Sequence, residues 1–150
     1  MNIPVTETSI PAIVHRTKDT EPTIRKLVYS HVLAKDLKKD SPHSPINLSE
    51  RQLELICRNG FGDREPNVKA AAAELIEAWL RILGASDFRD EGEQDMTAQI
   101  ERLLGKFNLV DCKVANDMLL GVFRELPHIF ESVKFQGASA LLSRTQQTNR

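Results

Sequence analysis

Few side chains in this sequence are of a type and spacing that do chemistry. The histidines are His15, His31, His43 and His128, and none has a carboxylate or cysteine at metal-ligand spacing. His15 and His31 read as ordinary surface histidines on helices. Cys57 and Cys112 are far apart, sit among apolar neighbours and form no C-x-x-C pair, so neither a zinc framework nor a redox motif is indicated. Two buried, reduced thiols fit an intracellular compartment. Asn59-Gly60-Phe61-Gly62-Asp63 carries two glycines but lacks the strand and spacing of a phosphate loop. No nucleophile elbow, P-loop or dinucleotide fingerprint is present, and no two residues present themselves as a general acid and base. Trp79 lies in an apolar stripe and reads as core. The expectation is a protein without catalytic residues, metal or cofactor.

What remains is the chemistry of binding and modification. Net charge is -1, which gives no nucleic-acid signal as a whole. The distribution is uneven. From His15 to Asp40, seven basic residues (Arg16, Lys18, Arg25, Lys26, Lys35, Lys38, Lys39) outnumber four acids, giving +3. From Ala85 to Glu101, six acids face Arg89 alone, giving -5. These read as solvated faces or as surfaces of opposite sign for partners. Ser41 and Ser44 each precede a proline, the minimal pattern of a proline-directed kinase, and are candidates for phosphorylation.

An internal repeat organises the elements that carry these residues. Asp19-Thr20-Glu21-Pro22-Thr23-Ile24-Arg25 matches Asp63-Arg64-Glu65-Pro66-Asn67-Val68-Lys69 at an offset of 44 residues. Upstream, Ile10, Ile13 and Val14 correspond to Leu53, Ile56 and Cys57 at an offset of 43. A weaker third copy begins near Val114, 46 residues after Val68, without the Asp-x-Glu-Pro string. Periods of about 40–47 residues belong to HEAT and armadillo arrays. Pro22 and Pro66 suit the first turn of a helix, where a missing N–H costs nothing. Glu21 and Glu65 complement the positive helix end. Asp19 and Asp63 fit tight turns, where a short carboxylate accepts backbone N–H bonds. Arg25 and Lys69 are placed either to reach an Asp of a neighbouring turn, forming a ladder, or to contact a ligand.

The 3.6-residue period predicts helices over about Glu21–Ala34 (Ile24, Leu27, Val28, Val32), Glu65–Leu83 (Val68, Ala72, Leu75, Ile76, Trp79, Leu80, Leu83) and Asp111–Leu126 (Val114, Met118, Leu119, Val122, Phe123, Leu126). Each follows a partner helix, roughly Ser9–Lys18, Ser49–Phe61 and Asp95–Phe107. Ser49 and Gln52 form a capping-box pattern, and Gly60 and Gly105 are placed as C-caps. The fold expected is all-α, an α-solenoid of about three HEAT-type helix pairs over residues 1–130. A partial helix and a polar, disordered tail follow over 131–150. The Ala34–Leu48 loop, with its prolines and lysines, is expected to be exposed and mobile, and Gly84–Gln94 to be an acidic surface loop. The low aromatic content, 5%, also favours packed helices over a β-sandwich. The N-terminus lacks the features of a signal peptide, and no stretch approaches the roughly 20 apolar residues of a membrane span. A soluble intracellular protein is expected. No polar capping repeat is evident at either end, so the chain reads as a section of a longer array.

Several strings together carry a more specific likeness. Arg16 to Tyr29 fits R-x-x-D-x-x-x-x-V-R-x-x-V-Y with Ile24 in the first valine's place. Leu48-Ser49-Glu50-Arg51-Gln52, then Gly60-Phe61-Gly62-Asp63-Arg64 to Val68-Lys69, then Ala78-Trp79-Leu80 follow in order. This order resembles the HEAT-repeat G subunit of condensin, also called condensin subunit 3, over about Asn2 to Leu83 and weakly to about Phe130. The tail after Phe135 does not resemble it, and family members are far longer, so the resemblance implies a fragment, a truncated product or an incomplete gene model. It also implies a non-catalytic scaffold in mitotic chromosome condensation, in the nucleus and on chromosomes, with the cytoplasm as its place in interphase. Its partners would be the kleisin and SMC subunits, and double-stranded DNA held in a basic groove without sequence reading. The ATPase work belongs to the SMC subunits. On this chain the candidates for phosphate contact are Arg16, Lys18, Arg25, Lys26 and Lys69. The alternative is a HEAT adaptor for another protein partner, of the transport-receptor or phosphatase-scaffold type. A HEAT-like DNA glycosylase would need a catalytic carboxylate in an aromatic-lined groove, and one Trp and one Tyr do not supply it.

Overall fold

A computed structural model describes residues 5–85, 96–108, 110 and 113–131. The described residues are helical, with no strand among them. The helices are α1 (Ile10–Arg16), α2 (Pro22–Leu27), which continues as a π-helical turn over Val28–Leu33, α3 (Glu50–Phe61), α4 (Pro66–Ala85), α5 (Met96–Leu104), α6 (Lys113–Glu125) and the short α7 (His128–Glu131). The expected disordered tail and most of the acidic loop lie outside the described residues, as does Cys112.

Local sequence sets the starts of these helices. Pro22 opens α2 directly after Glu21, whose backbone is extended. Ser49 forms both halves of the expected capping box on α3: Gln52 N–H donates to Ser49 Oγ at 3.2 Å, and Ser49 N–H donates to Gln52 Oε1 at 2.9 Å. The 20-residue α4 is the central element. It touches α2 and its π turn, α3, α5 and α6. Its predicted stripe from Val68 to Leu83 is buried throughout, with Trp79 and Leu75 at 0% exposure.

Three expectations about packing need correction. The helix after Pro22 does not stay α-helical: Ala34 N–H reaches Tyr29 O, a five-residue bond, at 3.1 Å. Tyr29 is fully buried and its hydroxyl donates to Ile56 O at 2.7 Å, while Ile24 and Leu27 turn outward at 39% and 40% exposure. Gly60 is no C-cap. It lies inside α3, where the Cβ it lacks would stand 2.6 Å from Ala72 Cβ. Gly62 follows α3, with a right-handed φ of -87°. Phe123 is 57% exposed, so the inward stripe of α6 is Ala115, Met118 and Val122. The pairs also stack unequally. Between the first two, like meets like: α1 touches α3, and α2 with its π turn touches α4. In the third, α5 packs on α4, and α6 lies against both α3 and α4.

The Ala34–Leu48 loop is not an exposed strap. His43, Ser44 and Leu48 are buried, and Leu37 and Ile46 pack against the core. Ser44 is at 0% exposure, so a kinase has no access to its hydroxyl in this arrangement, while Ser41 is half-buried. Neither ring nitrogen of His43 has a hydrogen-bond partner, and burial holds its pKa below the ordinary 6.5. Because burial lowers this pKa, protonation of His43 favours the unfolded chain: stability is undiminished above 6.5 and falls as pH drops from there toward the lowered folded-state pKa. Thermal melts are therefore expected to show a lower midpoint at pH 5.5 than at pH 7, and His43→Gln to flatten this dependence. An equal fall in both proteins would remove His43 as the cause.

Candidate functional site

The repeated string becomes a repeated turn. Asp19 Oδ1 accepts the Glu21 N–H at 3.0 Å, and Asp63 Oδ1 accepts the Glu65 N–H at 2.9 Å. A third copy appears where no Asp-x-Glu-Pro string marks it. Asn108 Oδ1 accepts the Val110 N–H at 3.0 Å, 45 residues after Asp63. The sequence signal was the short amide, which closes the same turn as a carboxylate.

Arg25 joins the first two turns. Its Nε donates to Asp63 Oδ2 at 2.7 Å and its Nη2 to Asp63 Oδ1 at 3.1 Å, a two-pronged ion pair. Its Nη1 donates to the carbonyls of Asp19 at 2.7 Å and Thr20 at 3.3 Å. The two side chains are 14% and 5% exposed. Burial alone would raise the Asp63 carboxyl. The Arg25 guanidinium and the Glu65 N–H outweigh it and hold the carboxyl below the usual 3.8. Alongside, Asn59 Nδ2 donates to the buried Thr17 Oγ1 at 2.8 Å. Thr17 in turn donates to Val14 O. These contacts fasten the first helix pair to the second.

Among the described residues the predicted ladder thus has one rung. Lys69 is the counterpart of Arg25, and in the third turn the neutral Asn108 stands where Asp63 stands in the second. Lys69 is half-buried, lines a groove of about 250 Å³ with Phe61, Asp117 and Arg124, and makes no ion pair among the described residues. The second and third pairs are tied by another contact, Asn108 N–H to Glu54 Oε1 at 2.9 Å.

A groove of about 320 Å³ opens beside the rung, and its cations are Lys18, Arg25, Arg58 and Arg64. Arg25 is committed to Asp63. Lys18, Arg58 and Arg64 are exposed on the rim and have no ion-pair partner among the described residues. Arg16 stands nearby, 66% exposed and paired with Asp19 at 3.0 Å. Of the five sequence candidates, the structure gathers Arg16, Lys18 and Arg25 at this edge. Lys26 is exposed on α2 and does not line the groove, and Lys69 faces the other one. Arg58 and Arg64 were missed. Arg64 did have a signal: it replaces Thr20 in an otherwise matching string.

Chemically the groove offers positive charge and amide donors to an anion. The hydroxyl in its lining, on Thr17, is buried and already donates to Val14 O. Desolvation pushes the buried Cys57 thiol well above its ordinary pKa, which disfavours the nucleophilic thiolate. No cluster of three metal-ligating side chains occurs among the described residues, and none of their helices is long and apolar enough to cross a membrane. Compared with family models, with curated proteins and with solved structures, the chain matches none.

Proposed function

We propose that the chain is a segment of a HEAT-type α-solenoid, a non-catalytic scaffold of a condensin-like complex that binds a kleisin subunit and double-stranded DNA. The observation that carries this reading is the Arg25–Asp63 rung. It joins two identical Asp turns at the 44-residue offset of the sequence repeat. A link between equivalent turns is what a stack of nearest-neighbour repeats requires. The sequence likeness to the condensin G subunit supplies the identity of the partners. Phosphate contact falls to Lys18, Arg58 and Arg64, with Arg16 beside them, because Arg25 is occupied. The adaptor reading, with a protein partner alone, draws support from Ile24 and Leu27, apolar and outward-facing on α2.

Affinity capture of the tagged chain from mitotic extract tests the partners. Recovery of kleisin and SMC subunits supports the scaffold reading, and their absence from a folded, helical chain favours another partner. The DNA part has its own test. If three cations each neutralise a phosphate, duplex affinity should fall about 40-fold between 50 and 200 mM salt, from a slope of about 0.9 per contact. Charge reversal at Lys18, Arg58 and Arg64 together should abolish that dependence. Affinity indifferent to salt would sink the DNA reading and leave the rung intact.

A further inference from the structure

The two Ser-Pro steps sit in the loop that joins the π turn to α3. The loop is closed mainly by local bonds: Lys38 N–H to Ser41 Oγ at 3.0 Å, Ser44 N–H to Ser41 O at 3.0 Å, Leu48 N–H to Ser44 O at 3.0 Å, and Asn47 Nδ2 to Ser41 O at 2.9 Å. Asp36 near its start takes a left-handed φ of 54°, uncommon for a residue other than glycine. Inside, His43 is buried with both ring nitrogens unpaired, and an unpaired buried polar group regains its hydrogen bonds when exposed to water. The apolar anchors that oppose that release are Leu37, Ile46 and Leu48, with Pro45 buried among them. Segments with local bonds and few anchors open at lower cost than the helices around them.

Ser44 lies at the centre of this loop. Its Oγ donates to Lys39 O at 2.9 Å and is sealed from solvent. We propose that Ser41–Pro45 is a gated phosphorylation site, in which a proline-directed protein kinase modifies Ser41 in the closed loop, reaches Ser44 only when the loop opens, and leaves a phosphate on Ser44 that holds it open. The residue before a proline is biased toward extended backbone, so the released Ser44-Pro45 step suits an extended substrate cleft. In the transfer, Ser44 Oγ attacks the γ-phosphorus of ATP and a new O–P bond forms. The bond to the β,γ-bridging oxygen breaks, ADP leaves with the electron pair, and the hydroxyl proton passes to the kinase's base. The product no longer has the hydroxyl that donates to Lys39 O. It also carries about -1.5 to -2 charge into a position without solvent access, which opposes reclosure. This inference is independent of the scaffold reading.

The test uses the full 150-residue chain, a recombinant proline-directed kinase and ATP, with site-resolved mass spectrometry over time. Ser41 should be modified first. Ser44 should follow at least about tenfold more slowly, since a minor open state holds about 10% of molecules or fewer. Leu48→Ala, with helicity checked by circular dichroism, should narrow the gap, and Pro45→Ala should abolish modification at Ser44. Hydrogen exchange on the doubly phosphorylated protein should show lost protection over 37–48, with α3 and α4 unchanged. Absence of phosphate from either serine, equal rates at both, or full protection after Ser44 is modified would each overturn the proposal.

Discussion

Asp63→Ala is expected to lower the thermal midpoint more than any other single substitution at the turns, and more than Asp63→Asn. Asp63 has two duties: it caps the Glu65 N–H and takes both prongs of Arg25. Asparagine keeps an oxygen for the turn but surrenders the charge. Alanine surrenders both and leaves a guanidinium, 14% exposed, with only the carbonyls of Asp19 and Thr20. Removing one partner of a shielded pair costs more than the pair is worth, because the survivor stays desolvated. Arg25→Ala should cost less, since Asp63 retains the Glu65 N–H. A double-mutant cycle with both alanines should therefore show strong coupling, and additive losses would mean the pair is incidental. The pH dependence gives a second check. Asp63 has a folded-state pKa below 3.8, so its contribution is complete above that value and is lost as pH falls through the folded pKa. Wild type and Asp63→Ala should converge in strong acid. This window opens at 3.8, below the 6.5 at which that of His43 opens.

How much of this was legible in the sequence depended on whether the signal was local. The prolines, the Ser49 capping box and the 3.6-residue stripes are local, and the helices stand close to where they predict. The rung was half legible. Repeat spacing put Arg25 within reach of a neighbouring Asp, but spacing does not say whether a guanidinium faces a carboxylate or an open groove. The lack of a second rung among the described residues was hidden because Asn108 performs the turn chemistry of Asp without its charge. The π turn was illegible: it arises from seating Tyr29 under Ile56 O, a tertiary demand. Burial of Ser44 was hidden for a related reason. Ser, Pro and Lys give the segment a solvated composition, while Leu37, Ile46 and Leu48 tie it down. The rim positions of Arg58 and Arg64 depend on how one helix pair meets the next.

Gly60→Val is expected to be the most damaging change that adds volume, at about 3 kcal/mol, the upper part of the usual overpacking range. Gly60→Ala should cost about 1–2 kcal/mol, because clash is partly offset by alanine's helix propensity. The reason lies in what the new Cβ meets. Ala72 Cβ would be 2.6 Å away, and the Tyr29 ring carbon and hydroxyl 3.0 Å each. Ala72 has no rotamer with which to yield, so α3 and α4 must separate. Tyr29 is pinned by its bond to Ile56 O. Gly121→Ala is the contrasting case. Its Cβ would meet the ring of Phe61, a half-buried side chain that can rotate away, so its loss should be smaller. Ala72→Gly placed on Gly60→Ala should restore most of the midpoint in far-ultraviolet circular dichroism melts. Failure of that rescue would mean that the strain falls on Tyr29 instead. The effect should also reach the groove. Gly60 sets the closeness of α3 to α4, and Arg58, Asn59, Gly62 and Asp63 all lie within three residues of it. A wedge at Gly60 therefore pulls Asp63 away from Arg25, and acid convergence with Asp63→Ala should weaken in the same variant. Packing at one glycine and charge pairing at the turn are in this way a single mechanical unit.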